Sequence, residues 1–180
     1  VSVGPRASFR RVALEAAAEL FASRDDVSMG ELAEAIGVGR ATLYRHYDSR
    51  EALLRDLAAF AFDDARRALD EAHLDEVDVT EGFERVFRAL VHVGSRYAVV
   101  TRDKLSLPDD EARIAIGTPL RMLVTRGQED GTLRGDVPAE WLLFAMKGTI
   151  LSAVELAHTV GVEDAAAFGA RQFLNGARSA

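Results

Sequence analysis

Residues 28 to 54 read SMGELAEAIGVGRATLYRHYDSREALL. Ser28 followed by Glu31 forms a capping box, in which the hydroxyl and the carboxylate each satisfy an orphan amide at a helix start. Leu32, Ala33 and Ile36 then recur at helical spacing and give that helix one apolar face. Gly37 follows as the left-handed residue that stops it. Gly39 or its neighbour opens a second, short helix through Tyr47. A small residue at Ala33 and a glycine four positions on suit two helices crossing closely through a tight turn. The stretch therefore reads as a helix-turn-helix, and Asp48 with Glu51 makes a second capping box that opens a further helix.

A step of 100° per residue turns Leu43 and Tyr47 of the second helix back toward the first. Ala41, Thr42 and Arg45 face away, and Arg40 projects from the exposed first turn. That outward set suits the edge of a base pair, since an Arg can pair bidentately with guanine and a Thr can bond an edge or touch a thymine methyl. Tyr44, His46 and Arg50 stand at the margins, where phosphate contacts fix docking. We take Ser28, Gly39, Arg40, Ala41, Thr42, Tyr44, Arg45, His46, Tyr47 and Arg50 as the expected DNA-binding set.

The run from Leu43 to Glu51 (LYRHYDSRE) resembles the signature of the TetR family of bacterial one-component repressors. In that family an aromatic pair brackets a His, and a Ser-Lys-Glu-type step opens the fourth helix. Here Tyr47 stands where Phe is commoner and Arg50 where Lys is commoner. The resemblance implies an all-α fold with two domains. Residues 1–48 would be a three-helix DNA-binding head, and 49–180 a helical effector-binding and dimerisation body. It also implies a dimer on a palindromic double-stranded operator, released by a small molecule, with no cofactor and no metal.

Composition permits this. The net charge of −7 looks wrong for a DNA binder until it is divided. Residues 1–60 hold 8 Lys+Arg against 9 Asp+Glu, so the acidity belongs to the remainder, and the head can still present a cationic face. The chain has no cysteine, hence no disulfide or thiolate metal site. No window is apolar enough for a membrane span and the N-terminal residues lack a signal peptide's apolar core, so a cytoplasmic protein is expected.

Taken in order, residues 1–7 read as a solvated arm, and Phe9, Val12, Ala13, Ala16, Ala17, Leu20 and Phe21 keep helical spacing from Ser8. A long fourth helix is expected from Ser49 to about His73. After an acidic break Thr80 would cap a fifth helix that is apolar over most of its circumference, its polar stripe being Glu81, Arg85, Arg88, His92 and Ser95. A short helix should follow between Tyr97 and Leu107, and Asp109, Asp110 and Glu111 read as helix N-terminal charge. Thr118-Pro119 either starts a helix or kinks one begun near Asp110. The run from Arg126 to Arg134 resembles the family's usual end to this helix. Asp136-Val137-Pro138 starts the next, and the last spans Glu163 to Ala177. In the family the two C-terminal helices meet their symmetry mates, which would make this chain a homodimer.

Phe60, Phe83, Phe87, Tyr97, Met122, Trp141 and Phe144 are the expected lining of an effector site, for an apolar or aromatic molecule. Aromatics at such spacing also build ordinary cores. Glu155 and His158 form Glu-x-x-His, half of a di-iron bundle motif, but no second copy accompanies them. No nucleophile elbow, phosphate-binding glycine loop or His-Glu-x-x-His occurs. A small helical enzyme or metal-binding bundle is the alternative class. A regulator without an effector, and an interaction protein whose helix-turn-helix only packs, are two more.

Overall fold

In a computed structural model that describes residues 5–24, 26–102 and 110–179, the chain is helical. The described residues form α1 (Pro5–Ser23), α2 (Met29–Ile36), α3 (Arg40–His46), α4 (Arg50–Asp70), α5 (Val79–Arg96), α6 (Ala98–Arg102), α7 (Asp110–Glu129), α8 (Ala139–Val160) and α9 (Val162–Ala177). Of the carboxylates Asp109–Glu111 expected as helix N-terminal charge, Asp109 lies outside the described residues. Tertiary contacts divide the chain into two units. The first holds the described residues through Ala61 with Arg96–Arg102, and the second holds Phe62–Ser95 with the described residues from Asp110 onward.

In the first unit α1 buries Ala13, Leu14, Ala17, Ala18 and Phe21, a stripe repeating every three to four residues. Leu32, Ala33 and Leu43 meet it from α2 and α3, and Leu53, Leu54 and Leu57 from α4, all buried. Tyr97 is also buried here, with its ring edge-on to Phe60 at 6.2 Å.

The second unit is built around α5. Phe83 and Phe87 are fully buried, and Phe173 of α9 packs on both, with ring centroids at 5.0 and 5.9 Å. Gly169 makes this approach possible, because a Cβ there would lie 2.9 Å from Phe87 Cδ1. Side chains of the Arg126–Arg134 run tie the end of α7 to the α4–α5 connection and close the turn after it. Arg126 donates to the carbonyls of Leu74 and Val77 at 2.8 and 2.9 Å. Gln128 Nε2 donates to those of Arg134 and Val137 at 3.0 and 2.9 Å. Gly131 supplies the left-handed residue (φ 78°), and Leu133 tucks beneath Gly127. A Cβ on Gly127 would come within 2.9 Å of both Leu133 and Val79. Gly127→Ala is therefore expected to cost about 1–3 kcal/mol by overpacking. An unchanged urea midpoint would show that Leu133 and Val79 give way instead.

Several boundaries differ from expectation for local reasons. Asp48 does not cap α4: Ser49 does, its Oγ accepting from the Ala52 amide at 3.1 Å. The chain leaves α3 through an extended Tyr47 (φ −133°), so Asp48 still belongs to the connection. Likewise Asp78, not Thr80, caps α5, its Oδ1 accepting from the Glu81 amide at 2.9 Å. The helix thereby gains Val79 as a buried first residue. Of the two readings of Thr118-Pro119, the structure takes the helix begun at Asp110, with Pro119 inside α7. Ser95 leaves the solvated stripe assigned to it, since its Oγ is buried.

Candidate nucleic-acid interface

The helix-turn-helix assembles through its caps. Ser28 Oγ accepts from the Glu31 amide at 3.3 Å while Glu31 Oε2 accepts from the Ser28 amide at 2.8 Å, so the expected box is complete. The Ser28 backbone and hydroxyl bonds, with the Arg24 charge, hold the Glu31 carboxyl below its ordinary range. Gly37 closes α2 in the left-handed conformation (φ 77°), and its amide reaches the carbonyls of Ala33 and Glu34. Gly39 then caps α3. Leu43 is fully buried, which rolls Arg40, Ala41, Tyr44 and Arg45 outward.

The expected DNA-binding residues fall into distinct environments. Ser28 is exposed beside its box partner. Arg45 donates to Thr42 Oγ1 at 3.3 Å, so two of the groups assigned to base edges lie together. The Arg40 guanidinium lies over Gly30 of α2, occupying the space a side chain there would take. His46 stacks on Phe9 of α1 at 4.1 Å, and the Arg50 guanidinium stands 5.0 Å above the Phe21 ring. These contacts pin two groups assigned to phosphates by their flat faces. Tyr47 is different. It is only 7% exposed, and its hydroxyl donates to Asp56 Oδ2 at 2.8 Å.

The seven aromatic and methionine side chains assigned to an effector site are distributed over both units. Phe60 and Tyr97 pack together in the first unit, and Phe83 and Phe87 are core of the second. Met122, Trp141 and Phe144 are 67%, 55% and 75% exposed. Met122 does line a groove of about 780 Å³ with Leu69, Leu74, Pro119, Leu123 and Arg126. A second groove of about 860 Å³ carries the charged and polar side chains Glu81, Arg85, Arg88 and His92. His92 Nε2 there lies 2.7 Å from Glu163 of α9. Ser95 Oγ, which pattern reading left on the surface, is buried with no hydrogen-bond partner among the described residues. His158 turns to the backbone carbonyl of Glu155, and no cluster of three or more His, Asp or Glu among the described residues is placed to hold a metal. No helix among them is long and apolar enough to cross a membrane.

A capped helix-turn-helix with a cationic, hydroxylated outer face, backed by a helical body, is the build of a DNA-binding transcriptional regulator. Residues 13–57 match the profile of bacterial regulatory proteins of the tetR family, so this segment is a TetR-family DNA-binding domain. It is 28% identical over 141 residues to the HTH-type transcriptional repressor LfrR of Mycolicibacterium smegmatis, spanning 78% of this chain and 75% of that protein. A stretch of 75 residues is 45% identical to an uncharacterized HTH-type transcriptional regulator of Mycobacterium tuberculosis, covering 41% of this chain and 36% of the relative. The fold matches the crystal structure of LfrR in complex with proflavine, with a TM-score of 0.77 at 22% identity over 96% of this chain and 98% of that one. It also matches RolR in complex with resorcinol, with a TM-score of 0.62 at 22% identity over 97% and 90%.

Proposed function

We propose that the chain acts as a homodimeric repressor whose two α3 helices read a palindromic operator and release it when a small molecule binds the body. The observation that carries this is the exposure of Arg40 and Arg45 around a fully buried Leu43, with the half-buried Thr42 hydrogen-bonded to Arg45. Arg40, Thr42 and Arg45 contact base edges. Tyr44, His46 and Arg50 contact phosphates, with Ser28, Gly39 and Ala41 at the groove wall. Tyr47 acts from behind the helix. Residues 1–48 supply the DNA-binding function, joined by Arg50 at the start of α4, and 49–180 the effector and dimer functions.

The dimer reading rests on α8 and α9. Beyond the buried faces that join them, Phe144, Leu151 and Leu156 of α8 and Phe168 of α9 are exposed. A second copy of the same pair would cover these apolar groups by two-fold symmetry. Two heads so related read half-sites about 34 Å apart or a multiple of that. One helix alone reads too few base pairs to find one operator.

An apolar or aromatic effector suits the body, and the proflavine and resorcinol complexes of LfrR and RolR favour such a class. The Ser95 hydroxyl, buried with no partner among the described residues, would be a polar handle for it, because an unsatisfied buried group costs about 1–3 kcal/mol that a ligand bond can return. Induction needs only that the effector prefer the conformation whose heads mismatch the operator.

Selection of a duplex from a random library, followed by sedimentation of the complex, tests the reading. Wild type is expected to enrich a palindrome and to bind it as two or a multiple of two protomers. Phe144→Asp should sediment as a monomer and lose the palindrome's advantage over a single half-site. A dimer that survives this charge would place the interface elsewhere.

A further inference from the structure

Three elements of the first unit converge on one carboxylate. Asp56, on the second turn of α4, accepts from Arg10 of α1 through Nε, at 3.0 Å to Oδ1 and 2.9 Å to Oδ2, and also through Nη2. The same Oδ2 accepts from the Tyr47 hydroxyl, just past the end of α3, at 2.8 Å. The Asp56 side chain is one-quarter exposed, and Tyr47 is nearly enclosed. Partial burial raises the Asp56 pKa, but the Arg10 and Tyr47 bonds and the Arg10 charge outweigh it and leave the carboxyl below its ordinary range. Burial, and then the bond to Asp56, push the Tyr47 phenol up. The phenol thus stays a donor and the carboxylate an acceptor throughout the neutral range.

We infer that Asp56 is a positioning residue for DNA reading: through Tyr47 and Arg10 it fixes the C-terminal end of α3 and the adjoining face of α1 to α4. The inference rests on α3 being the reading helix. Its geometric basis is independent of that reading. Seven residues make barely two turns, too few to hold a direction without support. Leu43 anchors the middle of α3 by packing alone, which resists withdrawal better than rotation. Charge-assisted bonds at Tyr47 add direction, because they require both distance and angle. Arg45 stands two residues before Tyr47, and His46 is its neighbour, stacked on Phe9 one residue before Arg10. A rotation at Tyr47 would therefore swing the groups that face DNA. The phenol is the feature that allows this: a phenylalanine at 47 would pack as well and leave the carboxylate to Arg10 alone.

The test uses the full chain and a duplex enriched by wild type from a random library, with a random-sequence duplex beside it. Tyr47→Phe and Asp56→Asn are each expected to weaken binding to the enriched duplex about tenfold, in line with one lost bond to a charged group. Binding to the random duplex should stay near wild type, because phosphate contacts tolerate small rotations, and the thermal midpoint should fall by no more than the few degrees of one lost bond. The double variant should lose little more than either single one, the signature of coupled residues. Asp56→Glu should recover part of the loss. Wild-type affinity for the enriched duplex in both variants would overturn the inference while leaving the DNA-reading function intact. Parallel losses on both duplexes with a midpoint lowered beyond that would overturn it too, by showing a merely structural role. If wild type enriched no duplex, the proposed function would fall and this inference with it.

Discussion

Phe87→Ala is expected to lower the unfolding free energy of the chain by about 3–5 kcal/mol, the range for emptying a buried aromatic site. Phe87 is fully buried in the middle of α5, and its ring lies against Phe173 and beside Gly169 of α9. The site cannot collapse easily. Phe83 occupies the adjacent turn against the same Phe173, and the Gly169 backbone offers no side chain to move into the gap. Chemical denaturation followed by far-ultraviolet dichroism measures this, and the loss should appear in the midpoint with little change of slope. A loss below about 1 kcal/mol would mean that the neighbours refill the space, and that the second unit is less firmly packed than its burial shows. Should Phe87→Ala change effector affinity at unchanged stability, the ring would be lining rather than core.

The second large effect concerns DNA. Arg45→Ala should cost about 1–3 kcal/mol on the enriched duplex and relax preference at a single base pair, as expected for the loss of a bidentate base contact. Arg45 is exposed and hydrogen-bonded only to its helix neighbour Thr42 among the contacts described, so its removal leaves the fold undisturbed. Arg50→Ala should weaken enriched and random duplexes alike and flatten the salt dependence by about one counterion's worth. Its guanidinium also covers Phe21, which adds a small stability loss to be measured separately. Titrations at several salt concentrations separate the two. If both variants showed the same slope and the same loss of preference, the division into a base-reading and a phosphate-binding arginine would be wrong.

What was legible beforehand was local. The Ser28–Glu31 box and the left-handed Gly37 are decided within a few residues, and the structure has both where the motif places them. Leu43 faces inward because helical period alone puts it there. Local reasoning also has a limit at the caps. Asp48 and Ser49 are both good capping residues, as are Asp78 and Thr80, and the choice between them depends on where the preceding segment releases the chain. The Pro119 position shows the same limit, since a proline can open a helix or ride inside one already held by its neighbours.

The helix-turn-helix and the inward turn of Leu43 followed from the amino-acid sequence by itself, because turn chemistry and periodicity act over short range, while the fold class came with the family resemblance. Tertiary structure decided the rest. It sent Phe83 and Phe87 into a core while leaving Trp141 and Phe144 exposed, although all four have helical spacing. Periodicity defines a face but does not say what covers it, whether another helix, a ligand or a second copy. It also joined Arg10, Tyr47 and Asp56, which stand up to 46 positions apart, so that no spacing rule could pair them. The direction of a side chain is local physics; the partner it finds belongs to the folded chain.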